Sequence, residues 1–62
     1  MNKEKVTIWV IQGYDIETEQ GQLVNVVVFE MIDKSYESAL VRVKKLCSKK
    51  FYRLTRMIEN YK

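Results

Sequence analysis

The sequence contains no histidine, no proline, two glycines and one cysteine, Cys47. Without histidine, the chain lacks both the usual acid–base group at neutral pH and the commonest zinc ligand. One cysteine excludes an internal disulfide. Gly13 and Gly21 do not form a phosphate-binding glycine pattern. We therefore expect a protein that is not an enzyme, with no catalytic residues, no metal and no cofactor.

Long apolar runs are also absent. The run VTIWVI ends at Gln12, and no small-residue cleavage site follows it, so a secretory signal is not expected. A membrane span would need about 20 consecutive apolar residues. We expect no membrane contact and a cytoplasmic protein with a reduced thiol.

The small size of the chain favours self-association. Its 62 residues are expected to form a single domain over residues 1–62. A single core of this size rarely supplies more than roughly 3–5 kcal/mol, and small domains often depend on disulfides, metals or a second chain. Because the first two are not expected here, a homo-oligomer is the remaining source of stability.

Patterns of apolar residues predict three strands and one helix. Alternation with period two covers residues 5–16, 23–32 and 51–61, and the polar residues 17–22 resemble a hairpin loop. Apolar spacings of three and four predict a helix from residue 36 to about residue 49, capped by Ser35 or Asp33. Within the first strand, Gly13 predicts a bulge or the close approach of another backbone.

These elements predict an α+β fold of the order β-β-α-β. An antiparallel hairpin plus a third strand would form a three-stranded sheet, with one helix packed on one face. The third strand is expected to lie parallel to the second, because a helix connects them. It could flank either strand of the hairpin, and we favour the arrangement in which the first strand is central.

The second strand is apolar on both faces, although a single helix can cover only one. If the helix covers Val6, Ile8 and Val10, the opposite face presents Trp9 and Ile11. At about 25 cal/mol per Å² of apolar area, leaving such groups in water forfeits several kcal/mol. We expect a symmetric dimer, sheet against sheet or edge to edge, unless a loop or the C-terminal tail covers this face. The candidate dimer or partner face is Trp9, Ile11, Val27, Phe29, Phe51 and Met57.

Basic residues concentrate in the second half of the chain. Residues 1–31 hold two bases and five acids, whereas residues 32–62 hold nine bases and three acids. The acid-free stretch VKKLCSKKFYRLTR, residues 43–56, could neutralise phosphates while its aromatic residues stack on bases. The candidate nucleic-acid contacts are Arg42, Lys45, Lys49, Lys50, Arg53 and Arg56.

One observation argues against a nucleic-acid interface. The same lysines lie where any soluble amphipathic helix carries its charges. The characteristic run of RNA-recognition motifs is absent, and one helix cannot form a helix-turn-helix. The sequence therefore favours a small non-enzymatic protein–protein interaction or regulatory accessory module that acts as a homodimer. A nucleic-acid-binding protein that uses the basic helix end and third strand is the alternative.

The layout of the chain resembles that of small uncharacterised phage and prophage accessory proteins. These have a strand with Trp and Tyr, a hairpin, and an S-x-x-x-A-L-x-x-V-K-x-L helix before a last strand. Here the helix segment reads SYESALVRVKKL, residues 35–46. The resemblance implies an accessory or host-interaction protein and assigns no functional residues.

Overall fold

Three strands and one helix form the main part of the molecule. The computed structural model describes residues 4–61. The elements are β1 (Lys5–Tyr14), β2 (Ile16–Glu17), β3 (Leu23–Val24), β4 (Val27–Ile32), α1 (Tyr36–Leu46) and β5 (Phe51–Tyr61). The α+β class predicted from the sequence is confirmed.

Strand β1 lies at the centre of the sheet, in the order β4-β1-β5, and pairs antiparallel with both neighbours. Because β4 and β5 both run opposite to β1, they are parallel to each other. The register between β1 and β5 shifts between Val10 and Ile11, so Thr55 is an extra residue on β5. The Thr55 hydroxyl donates to the Val10 carbonyl at 3.0 Å, which anchors this bulge to the central strand.

The hairpin between β1 and β4 is interrupted before its tip. Asp15 separates β1 from β2, and two residues separate β3 from β4, whereas the sequence predicted two continuous strands. One of these two residues, Asn25, has a φ of 57°, a left-handed conformation that breaks strand geometry. At the tip, Gly21 has a φ of 85°, which glycine adopts without a steric penalty.

Helix α1 begins at the predicted cap and ends about three residues earlier than predicted. The Ser35 side chain accepts a hydrogen bond from the Ser38 amide, an N-cap interaction. At the other end, Cys47 is extended, with φ −153° and ψ 127°. The Tyr52 hydroxyl donates to the Cys47 carbonyl at 2.6 Å and accepts from the Lys49 amide at 2.8 Å. A side chain of β5 thus binds the backbone that would otherwise continue the helix.

The helix covers the face of the sheet that bears Trp9 and Ile11, the reverse of the arrangement considered from the sequence. The buried core is Ile11, Met31, Ala39 and Val43, and the residues packed against it are Trp9, Phe29, Tyr36, Leu40 and Tyr52. Covering this face removes more apolar area from water than covering the valines and isoleucines of the other face, because its side chains are larger.

Gly13 makes room for this packing. It lies opposite Tyr52 in the register of β1 and β5. A Cβ atom at position 13 would lie 3.1 Å from Tyr52 Cε1 and 3.0 Å from Lys49 Cγ. The close neighbour expected from the sequence was another backbone, but the structure shows that it is an aromatic ring and a lysine side chain.

Candidate functional site

The face of the sheet opposite α1 is the candidate functional surface, which we call the open face. Residues paired directly across antiparallel strands point to the same side of a sheet. The open face therefore follows from the register and the position of the core. It consists of Val6, Ile8, Val10, Gln12 and Tyr14 from β1, Val28, Glu30 and Ile32 from β4, and Phe51, Arg53, Arg56, Ile58 and Asn60 from β5.

Aliphatic side chains occupy one half of the open face. Ile8 lies directly between Ile32 and Ile58, so three isoleucines form a row across all three strands. Val6 and Val10 lie on either side of this row along β1. Ile32 remains 56% exposed. A contiguous apolar surface that combines residues of every strand of a sheet is typical of an interaction site.

Charged and polar residues lie in the next two rows. Val10 is flanked by Glu30 on β4 and by Arg56 on β5. Gln12 is flanked by Val28 on β4 and by Arg53 on β5. The β4 side of the open face therefore carries an acid, and the β5 side carries two bases.

An aromatic pair closes the far end of the open face. The rings of Tyr14 and Phe51 stack with centroids 5.5 Å apart and an interplanar angle of 28°. The Arg53 guanidinium carbon lies 5.8 Å from the centroid of the Tyr14 ring, and Arg53 Nε donates to Gln12 Oε1 at 3.1 Å. These contacts hold Arg53 in place, and Phe51 remains 53% exposed.

Five of the six candidate partner residues named from the sequence lie on the side of the sheet that the helix covers. Ile11 is completely buried under the helix, and Trp9 and Phe29 pack beside it. The indole nitrogen of Trp9 also donates to the Asp33 carbonyl at 3.0 Å. Pairing places Val27 and Met57 on the helix side as well, and Phe51 alone on the open face.

Sequence reasoning missed the aliphatic half of the open face because it assigned the helix to that side. The size of the side chains was the available signal. The face with Trp9 also carries Phe29 and Met31. A helix that covers these large side chains removes more apolar area from water than one that covers valines. Period-two alternation alone does not distinguish the two faces, since both are apolar.

The candidate nucleic-acid contacts are distributed over both sides of the sheet. The Arg42 guanidinium donates to the Ile32 carbonyl at 2.8 Å and to the Asp33 carboxylate at 3.2 Å. Lys49 Nζ lies 3.9 Å from an Asp15 oxygen. Lys45 is exposed on the helix, Lys50 is exposed in the loop before β5, and Arg53 and Arg56 point to the open face.

Two aspartates join separate elements on the helix side. Asp15 accepts from the Lys50 amide and from the Asn25 side chain, both at 3.2 Å. The Lys50 amide is the main reason that the pKa of Asp15 is lowered. The pKa of Asp33 is lowered chiefly by the Lys34 amide, which donates to it at 2.7 Å, with Arg42 adding to the effect.

Residues 4–61 contain no group of three or more His, Cys, Asp or Glu side chains placed to hold a metal ion. In the same residues, no helix has the length and apolar character that crossing a membrane requires. Cys47 is half-buried at the end of α1. Comparisons of the chain with protein-family models, curated proteins and solved structures found no match.

Proposed function

We propose that the chain is a small non-enzymatic protein–protein interaction or regulatory accessory module that acts as a homodimer through its open face. The observation that supports this proposal is the aliphatic half of that face, centred on Ile8, on the side of the sheet away from the helix. A second copy would cover the same patch on both subunits, as a two-fold interface requires.

The size of the open face sets the expected strength of the dimer. Three strands about 4.8 Å apart, with paired lengths of roughly 20–30 Å, offer on the order of 500 Å² per subunit. Specific interfaces of standard size bury about 800 Å² per partner. We therefore expect a reversible dimer that forms at micromolar or higher concentrations.

The sheet edges are less suitable for self-association than the open face. The bulge at Thr55 increases the local twist of β5 and disrupts its edge. The opposite edge strand, β4, offers six residues for pairing, against eleven in β5. Bulges in edge strands are a common feature that hinders edge-to-edge pairing.

Two matched substitutions test the proposal. Val28 on the open face and Val41 on the helix are 56% and 53% exposed, so lysine at either position can reach solvent in the monomer. Val28→Lys would place a charge in the dimer interface, whereas Val41→Lys would place one on the outer surface of α1. Sedimentation equilibrium from about 10 to about 500 µM measures the association constant, and circular dichroism checks the fold.

We expect the wild type and Val41→Lys to dimerise equally well, and Val28→Lys to be a folded monomer over the same range. A wild-type chain that remains monomeric throughout would contradict the proposal. Equal weakening by both substitutions would also contradict it, because dimerisation would then depend on the helix surface as much as on the open face.

Nucleic-acid binding is the second candidate function, favoured by the aromatic end of the open face. Phe51 is exposed beside Arg53, and Arg56 lies on the same side of the same strand. Exposed rings and arginines on a sheet are typical of surfaces that bind single strands. Fluorescence anisotropy with labelled single-stranded RNA and DNA at two salt concentrations tests this function. Binding that weakens with salt and is lost in Phe51→Ala would support it, and no binding at low salt would contradict it.

A further inference from the structure

Glu30 and Arg56 of the open face are arranged so that only one aligned packing of two sheets places these opposite charges against each other. Glu30 and Arg56 flank Val10 in the same row, on opposite outer strands. Two strand spacings place their backbones about 10 Å apart within one subunit. Among residues 4–61, neither side chain takes part in an ion pair or a side-chain hydrogen bond. Both are exposed and available to a partner.

Two orientations of a two-fold axis can stack the open faces of two copies with their strands aligned. An axis parallel to β1 places β4 of one copy over β5 of the other. Each row then faces its own reverse, so Glu30 lies opposite the other copy's Arg56, twice in each dimer. The row of isoleucines also faces its own reverse, with Ile8 near its counterpart at the axis.

An axis perpendicular to the strands gives a different pattern of contacts. It places β4 over β4 and β5 over β5 of the two copies. Glu30 then faces only residues of another β4, and the arginines of β5 share one strand pair with two further arginines. No position of this axis along the sheet brings Glu30 opposite an arginine.

We propose that two copies pack their open faces around a two-fold axis parallel to β1, with reciprocal ion pairs between Glu30 and Arg56. This inference rests on the proposed function, because it specifies the geometry of the same dimer. Opposite charges across an interface set the register and exclude alternative packings, while the aliphatic rows provide the buried apolar area.

Charge reversal at the two positions tests the axis. Glu30→Arg and Arg56→Glu, each alone, create two like-charge contacts per dimer and should weaken dimerisation by about tenfold to a hundredfold. The double variant restores opposite charges and should recover the wild-type constant to within about threefold. Glu37→Arg on the exposed surface of α1 makes the same charge change outside the interface and should leave dimerisation unchanged.

The outcomes separate this inference from the proposed function. A wild-type dimer in which both single variants bind normally, or in which the double variant fails to recover, would overturn the axis and leave the dimer intact. A wild-type monomer would overturn both. Circular dichroism of each variant ensures that a lost dimer reflects the interface and not unfolding.

Thiol crosslinking provides a second measurement that does not change the charges. With the axis along β1, both Ile8 and Gln12 lie near their own counterparts, across a gap of about 10 Å between the stacked sheets that is too wide for a direct disulfide. Ile8→Cys and Gln12→Cys, each combined with Cys47→Ala, should therefore both form linked dimers with a bifunctional thiol reagent about 10 Å long. An axis perpendicular to the strands places at most one of these positions near its counterpart. Linkage at only one position, or at neither, would overturn the inference.

Discussion

Replacement of Gly13 by alanine tests how the end of the helix is held against the sheet. Alanine normally stabilises a strand relative to glycine by roughly 0.5–1 kcal/mol, because alanine loses less backbone conformational freedom than glycine when the chain folds. At this position, the new Cβ would lie 3.0 Å from Lys49 Cγ and 3.1 Å from Tyr52 Cε1. The lysine side chain is flexible and can move aside. The tyrosine ring is held by its hydroxyl, which binds two backbone groups.

The balance of these effects gives the expected magnitude. Overpacking a well-filled site typically costs 1–3 kcal/mol. After the strand preference is subtracted, Gly13→Ala should lower the free energy of unfolding by about 1 kcal/mol. In a domain of this size, that loss lowers Tm by roughly 4–8 °C.

Thermal and urea denaturation followed by circular dichroism measure this change. They should be made at one fixed protein concentration, because dimerisation would make Tm depend on concentration. The same substitution in a Tyr52→Leu background provides the control, since the ring that restricts the site is then absent. There Gly13→Ala should be neutral or stabilising, and the difference between the two backgrounds measures the coupling. A stabilising effect of Gly13→Ala in the otherwise wild-type chain would refute the reasoning.

Three further predictions concern the helix ends and the acid response. Tyr52→Phe should cost about 1–3 kcal/mol in urea denaturation, because two backbone groups lose their partner, whereas Tyr61→Phe, at a residue 66% exposed, should change stability by less than about 0.5 kcal/mol. Ser35→Ala should cost about 1 kcal/mol through loss of the N-cap, and Ser35→Asp should retain most of that stability. In the folded chain, the pKa values of Asp15 and Asp33 lie below the ordinary 3.8. At a pH between the folded and the unfolded pKa of either group, the unfolded chain therefore binds more protons than the folded chain. The stability that these carboxylates contribute is present above pH 3.8 and should be lost as pH falls through their folded pKa values. Asp15→Asn and Asp33→Asn should flatten that dependence in denaturation series between about pH 2 and 7, and an unchanged slope would contradict it.

Much of the local structure could be predicted from the sequence because it depends on neighbours along the chain. The shift from period two to spacings of three and four marks the start of α1, and Ser35 caps it as its chemistry predicts. The end of α1 could not be predicted in this way. The Tyr52 hydroxyl that binds the last turn comes from the next strand, and no helical pattern contains that contact.

The candidate site was less predictable than the fold. Charge density grouped Arg42 with Arg53, but Arg42 binds the end of β4 and Arg53 lies on the opposite side of the sheet. Proximity in sequence does not decide which face a side chain occupies, because a single bulge, such as that at Thr55, reverses the alternation that follows it. The row of Glu30, Val10 and Arg56 becomes apparent only when the register of three strands is known.

The sequence by itself determined the three main strands, the helix, their order and the presence of more apolar sheet surface than one helix covers. Only the tertiary structure decided which face of β1 the helix covers. Both faces satisfy the same alternation, so the decision depends on how the large side chains around Trp9 and the space at Gly13 fit α1 and Tyr52 together. That fit is a property of packing in three dimensions, and it leaves Ile8 and its neighbours on the open face.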